Sequence, residues 1–177
     1  IQNENISESN NIFSNDKDQI IKIFIKKSEE EIQLEKQDTI WHISNNDTLT
    51  IRQTRIDDLF SNVLEVKSTT IRSRKKSNWG NYSVDDSTGT HLILIGKSKD
   101  TLGYYVFGRS KSDWAHNFVR IKKGNINKDE LNNVFETNQS IIHNLNTSLT
   151  YWGEKLQEQA LITKESDSLS VIKDKLE

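Results

Sequence analysis

Residues 20–35, which read IIKIFIKKSEEEIQLE, decide the fold of this chain. Apolar side chains occupy every second position in two short runs: Ile21, Ile23 and Ile25, then Ile32 and Leu34. A period of two is that of a β-strand with one buried face. After the polar Gln37-Asp38 step, residues 39–44 (TIWHIS) read as a third strand. The pattern predicts a β-meander that places Trp41 next to the core.

The next segment changes from strand to helix spacing. Between Thr54 and Val66 the apolar residues recur at intervals of three and four, which is typical of an amphipathic α-helix: Ile56, Leu59, Phe60, Val63 and Leu64. Thr54 followed by Asp57 has the form of a capping box. We therefore predict one well-defined helix that begins near Thr54.

The remaining apolar patterns predict more strands and then a less regular end. Four further strands are expected at Val66–Arg74, His91–Ile95, Tyr104–Arg109 and Asn117–Lys122. From Asn125 onwards the pattern is helical or irregular, with helical turns expected around Ile141, Ile142, Leu145 and Leu149. Together these elements predict an α+β fold with a mainly antiparallel sheet, one amphipathic helix and a helical or irregular C-terminal part.

The composition predicts three regions along the 177 residues. Residues 1–17 are polar, with only Ile1, Ile6, Ile12 and Phe13 as large apolar side chains, and are expected to form a flexible linker. Residues 18–160 are expected to form a single α+β domain. Residues 161–177 are expected to be a C-terminal extension at which the natural chain could continue.

Charge and apolar content limit the classes of partner. A formal net charge of -2 argues against the basic surface of a nucleic-acid binder. The longest apolar run, Leu92–Ile95, is far too short to cross a membrane. The sequence begins at Ile1 and contains no methionine, so we expect a removed signal or membrane anchor before it, and contact with a membrane only through that anchor.

The polar residues do not form a recognisable catalytic or metal motif. The four histidines, His42, His91, His116 and His143, lack the spacing of a metal-binding helix, and no cysteine is present. Asp85-Asp86 is the tightest acidic pair, and its VDDSTG context is typical of a turn. No serine elbow or glycine-rich phosphate loop occurs. We therefore predict no catalytic, cofactor-binding or metal-binding residues, and a protein that is not an enzyme.

Two groups of side chains could bind a ligand. One is a basic cluster that could form a patch for phosphate or anionic lipid, although a solvated loop is the simpler interpretation: Arg72, Arg74, Lys75 and Lys76, with Arg52 and Arg55. The other is a set of aromatic residues that could line a carbohydrate or peptide groove, although such residues more often belong to a core: Trp79, Tyr82, Tyr104, Tyr105 and Trp114.

The order of these segments resembles a known family. A Trp41 hairpin and a helix are followed by residues 79–90 (WGNYSVDDSTGT), which lead into the strand HLILIGKS. This order is similar to that of the family catalogued as domain of unknown function 4340. Residues 82–85 (YSVD) stand at the family's tyrosine motif with Ser83 in place of glycine, and residues 94–97 (LIGK) match its strand exit. Residues 149–155 (LTYWGEK) resemble its closing segment, with Gly153 in place of arginine.

The resemblance covers residues 18–160 and implies a function. Members of the family carry an N-terminal membrane helix and an extracytoplasmic domain without established catalytic residues, often beside ABC-type or gliding-motility transport components, as in Bacteroidetes. It implies a periplasmic domain, anchored to the inner membrane, that binds a protein partner in a transport complex. Two alternatives stay open: a glycan- or peptidoglycan-binding module that uses exposed tryptophans and tyrosines, and a hydrolase that uses Asp85 and Asp86 in a concave pocket.

Overall fold

A computed structural model describes residues 10–13, 17–109 and 111–155. The described part holds eleven strands: β1 Asn10–Asn11, β2 Ile20–Lys27, β3 Glu30–Gln37, β4 Ile40–Ile43, β5 Leu49–Ile51, β6 Lys67–Ser73, β7 Thr90–Gly96, β8 Thr101–Arg109, β9 Asn117–Lys123, β10 Val134–Thr137 and β11 Gly153–Lys155. It also holds two α-helices, α1 Gln53–Asp58 and α2 Leu149–Trp152. The described part also holds one π-helix, Leu59–Val63. Its four 3₁₀ helices are Lys17–Gln19, Lys76–Tyr82, Lys128–Glu130 and Ile142–Asn144.

Nine strands form one antiparallel sheet in the order β1-β6-β10-β9-β8-β7-β2-β3-β4. Strands β5 and β11 pair separately, also antiparallel. The predicted meander is confirmed as β2-β3-β4, and Trp41 on β4 is buried. The α+β fold class with a mainly antiparallel sheet is therefore shown.

The two faces of the large sheet have different cover. One face, here called the core face, carries the main apolar core, into which α1, the π-helix and the segment before β11 also place side chains. Its strand residues follow the predicted alternation, for example Ile23 and Ile25 on β2 and Leu92 and Leu94 on β7. The opposite face, here called the outer face, has a small second cluster made of Val84, Val106 and Val134.

The predicted single amphipathic helix is not a regular α-helix. Six residues of α1 run into the π-helix, in which the Leu64 amide donates to the Leu59 carbonyl at 3.0 Å. The wider turn brings Leu59, Val63 and Leu64 to the core together. The predicted capping box is wrong, because the helix begins at Gln53, the cap residue is Arg52 and no side chain caps it.

The N-terminal boundary also differs from the prediction. Asn10 and Asn11 pair with β6, Ile12 is buried, and the Phe13 ring lies 4.4 Å from the Tyr105 ring. Residues 10–13 therefore belong to the fold and not to a linker. The pairing of β1 with β6 orders the backbone, and the next two residues, Ile12 and Phe13, pack against the core. The rest of the predicted linker, apart from Lys17, lies outside the described residues, as does the extension 161–177.

The C-terminal part mixes helical turns with strands that the sequence analysis did not predict. Strand β10 inserts between β6 and β9, and β11 pairs with β5, which was also missed. Trp152 ends α2 and is fully buried in the core. No helix in the described ranges has the length and apolarity to cross a membrane.

Candidate interaction surface

One part of the outer face is covered by residues 76–89, here called the covering loop. Trp79, Tyr82 and Val84 of this loop pack on Val106 of β8 and Val134 of β10. The approach is close because β8 carries Gly108 on this face, where a Cβ atom would overlap the carbonyl of Tyr82. The missing side chain therefore lets the loop backbone lie directly on the sheet.

Arg120 connects the sheet to the covering loop. This side chain, on β9, is almost fully buried. Its Nε donates to the Val84 carbonyl at 2.9 Å, and its Nη2 pairs with Asp86 Oδ1 at 2.5 Å. The guanidinium carbon also lies 3.8 Å from the centre of the Trp79 ring, which is a cation–π contact. A buried arginine with these three partners fixes the loop by both hydrogen bonds and packing.

Asp85 and Asp86 organise the same loop. Hydrogen bonds from the hydroxyls of Ser87 and Thr88 hold the pKa of Asp85 well below its usual range. The Arg120 guanidinium lowers the pKa of Asp86. Neither carboxyl has the raised pKa that is typical of the general acid of a carboxylate pair. The hydrolase hypothesis gains no support from these two groups.

His91 links the covering loop to the open part of the sheet. Its Nε2 lies 3.0 Å from the Asp86 carbonyl, which can only accept, so Nε2 carries the proton. Its Nδ1 therefore accepts from the Tyr104 hydroxyl at 2.9 Å. Burial lowers the pKa of His91, and the neutral ring fits this arrangement of one donor and one acceptor.

The other part of the outer face, here called the open face, is not covered by that loop. The strand registers place Tyr104, Ile93, Phe24 and Gln33 in one row across β8, β7, β2 and β3. The first three are half-buried. A second row across neighbouring strands runs Ile95, Lys22, Glu35 and His42. The open face therefore combines an apolar stripe with a charged border.

A groove of about 860 Å³ follows the border of the open face. Its floor includes Lys22 and Glu35, whose charged atoms are 3.4 Å apart, and its wall is the turn at residues 44–47. Asn46 fixes that turn, because its Oδ1 accepts from the amides of Thr48 and Leu49 at 3.2 and 3.0 Å. The side-chain amides of Gln33 and Gln37 also line the groove and make no hydrogen bond to the described residues.

No family model, no curated protein and no solved structure matches the chain. The resemblance to the domain of unknown function 4340 family therefore stays a prediction that rests on the order of its motifs. The positions of the individual residues then carry the functional argument.

The structure separates most of the candidate ligand-binding residues. Arg72 pairs with Glu136 on β10, whereas Arg55 lies 3.7 Å from Asp58 and over the Tyr151 ring. Arg52 Nε donates to the Gly153 carbonyl of β11 at 3.3 Å, so Arg52, Arg55 and Arg72 each have a partner within the fold. The phosphate or lipid patch stays an alternative to the solvated loop. His116 and His143, far apart in sequence, line one small cavity. Within the described ranges, no three His, Asp or Glu side chains form a group that could hold a metal ion.

The aromatic residues do not form one groove. Trp41, Trp152 and Tyr105 are buried, and Trp79 is half-buried against Arg120. Trp114 is 74 % exposed. The burial of Trp41 and Trp152 counts against a glycan-binding groove built from tryptophans. The sequence analysis did not single out Phe24, Ile93 or Arg120, and the signal for Arg120 was its alternation with the buried Val119 and Ile121.

Proposed function

We propose that this chain is a non-catalytic, extracytoplasmic interaction domain that binds a protein partner through the open face. The observation that carries the proposal is the half-buried row of Tyr104, Ile93 and Phe24 on an uncovered sheet face. Stable protein interfaces have an apolar centre and a polar rim. The open face has that composition, with Lys22 and Glu35 at its border.

The partner class and the location come from the resemblance. It favours a domain anchored to the inner membrane that binds a component of an ABC-type or gliding-motility-type transport system. The geometry of the open face supports a contact that extends over several strands, because its apolar residues lie side by side on β8, β7 and β2.

The test is a pull-down of the full-length protein from its native envelope, with mass spectrometry of the bound proteins. We expect Phe24→Ser to lose the partner, because it removes one of the two aromatic side chains of the row. Leu131→Ser is the matched control, since Leu131 is a 40 % exposed apolar residue that lies outside the open face. Thermal unfolding of both variants shows whether they are folded. Equal recovery of transport subunits by a folded Phe24→Ser variant would reject the open face as the docking site.

The groove favours a second candidate, a glycan- or peptidoglycan-binding module. Free side-chain amides such as those of Gln33 and Gln37 hydrogen-bond readily to sugar hydroxyls and acetamido groups. Co-sedimentation with purified peptidoglycan tests it. Under this alternative the double variant Gln33→Ala, Gln37→Ala no longer co-sediments with peptidoglycan, while Phe24→Ser still does. Under the protein-partner proposal Phe24→Ser loses the protein partner in the pull-down, while the double variant keeps it.

A further inference from the structure

A small cavity lies at the end of the sheet where β8 ends and β9 begins. Its volume is about 160 Å³, and its lining includes Arg109, Asp113, Trp114, His116, Ser140 and His143. This volume corresponds to about five water molecules at ~30 Å³ each. It is below the range of roughly 300–1,000 Å³ that is usual for drug-sized ligands. The cavity therefore suits one small group.

Among the described residues around this cavity, one cationic side chain has no charged partner. Asp113 is the only carboxylate among the described residues of the lining, and it is occupied: Oδ1 accepts from the Ala115 amide at 2.8 Å, and Oδ2 lies 2.5 Å from His116 Nδ1. The side chain of Arg109 forms no ion pair or hydrogen bond with the described residues, and its guanidinium lies 5.9 Å from the Trp114 ring centre. His143 is exposed and likewise makes no hydrogen bond to the described residues.

The same turn that occupies Asp113 displays Trp114. The two oxygens of Asp113 hold Ala115 and His116, and the indole between them is 74 % exposed. Tryptophan and arginine are both enriched among the residues that contribute most of the energy of binding. The turn therefore holds the exposed Trp114 indole beside Arg109.

We propose that this cavity binds a small oxyanion, the phosphate or carboxylate group of a ligand. Arg109 presents the planar fork of N–H donors that fits such a group. His143 and the Ser140 hydroxyl supply further donors from the lining. The site is separate from the open face, since it lies at the end of the sheet where β8 ends and β9 begins.

The test is a fluorescence titration with sodium phosphate and, separately, sodium acetate, at constant ionic strength and pH 6.0. Trp41 and Trp152 are buried, Trp79 is half-buried and Trp114 is 74 % exposed, so a change in acrylamide quenching reports chiefly on Trp114. We expect saturable binding at this pH, because the Arg109 guanidinium carries a permanent positive charge. Saturation with phosphate alone assigns a phosphate group, and saturation with acetate alone assigns a carboxylate.

Two variants make the result specific. Arg109→Ala is expected to weaken binding about tenfold or more, because it removes the charged donors. Lys111→Ala is the matched control, an exposed neighbouring cation that does not line the cavity, and is expected to bind as the original protein does. Circular dichroism verifies that both are folded, and Arg109→Gln replaces Arg109→Ala if it is not. No saturation with either anion, or equal affinity in the folded Arg109 variant, would overturn the proposal.

Discussion

Replacing Arg120 by methionine tests whether this side chain holds the covering loop. The substitution keeps much of the volume and removes the charge. The Val84 carbonyl loses its donor, which costs ~1–3 kcal/mol, and the cation–π contact with Trp79 is worth ~2 kcal/mol when desolvated. Asp86 is 64 % exposed at its side chain and stays within 3.3 Å of Lys122, so its loss of Arg120 adds little.

These contributions are partly offset, since methionine does not have to be desolvated as a guanidinium does. We expect a net loss of about 3 kcal/mol in the free energy of unfolding, measured by urea titration. At roughly 2–4 °C per kcal/mol for a chain of this size, the melting temperature falls by ~6–12 °C. Acrylamide quenching of Trp79, measured in a Trp114→Phe background, should rise as the loop loosens.

Lys122→Met is the matched control for Arg120→Met. Lys122 shares the same carboxylate at 3.3 Å and lies over the Tyr104 ring, but its side chain is 32 % exposed. Its loss should cost no more than about 1 kcal/mol. Equal stability of the Arg120→Met variant and the original protein, or equal losses in both variants, would refute the role given to Arg120.

Three further substitutions test separate parts of the fold. Gly108→Val should displace the covering loop and lower the urea midpoint, whereas Gly80→Ala, where a Cβ meets only ordinary contacts, should not; equal midpoints would contradict the close approach. Burial lowers the pKa of His91, so the unfolded chain takes up the proton first, and this contribution to stability is complete above pH ~6.5 and lost as the pH falls below it. His91→Gln should therefore show a smaller loss of stability between pH 7.5 and 5, and an unchanged loss would exclude His91 as its source. Ile12→Ala should lower the free energy of unfolding by ~2–5 kcal/mol. Ile40→Ala, at a 58 % exposed side chain, should change it by no more than ~0.5 kcal/mol. An unchanged free energy of unfolding for Ile12→Ala would show that residues 10–13 do not contribute to the core.

The strands with regular alternation could be predicted from the sequence, because one buried face imposes a period of two. Ile21 marks a limit of that reasoning, since Ile20, Ile23 and Ile25 are buried and Ile21 is not. The register shift between Ile20 and Lys22 is the physical reason. Short strands such as β10 and β11 escaped prediction because three or four residues are too few to show a period.

The candidate site was harder to predict because it depends on contacts between distant residues. Arg120 meets Val84 and Asp86 only after β9 and the covering loop have packed together. His116 and His143 likewise meet only because the segment after β10 returns to the start of β9, where Asn117 Oδ1 accepts from the Ile141 amide at 2.6 Å. Neither arrangement has a local sequence signature.

The division of the outer face explains why the uncovered apolar side chains lie where they do. Alternation along β2, β7 and β8 gives each strand apolar or aromatic residues on both faces, so the outer face needs cover or a partner. Gly108 and Arg120 direct the covering loop to β8, β9 and β10. Phe24, Ile93 and Ile95 lie on β2 and β7, beyond the positions that these two residues fix. The same contacts that stabilise the loop thus leave one side of the sheet open. If the open face binds a partner as proposed, a substitution that moves the loop should also change that binding.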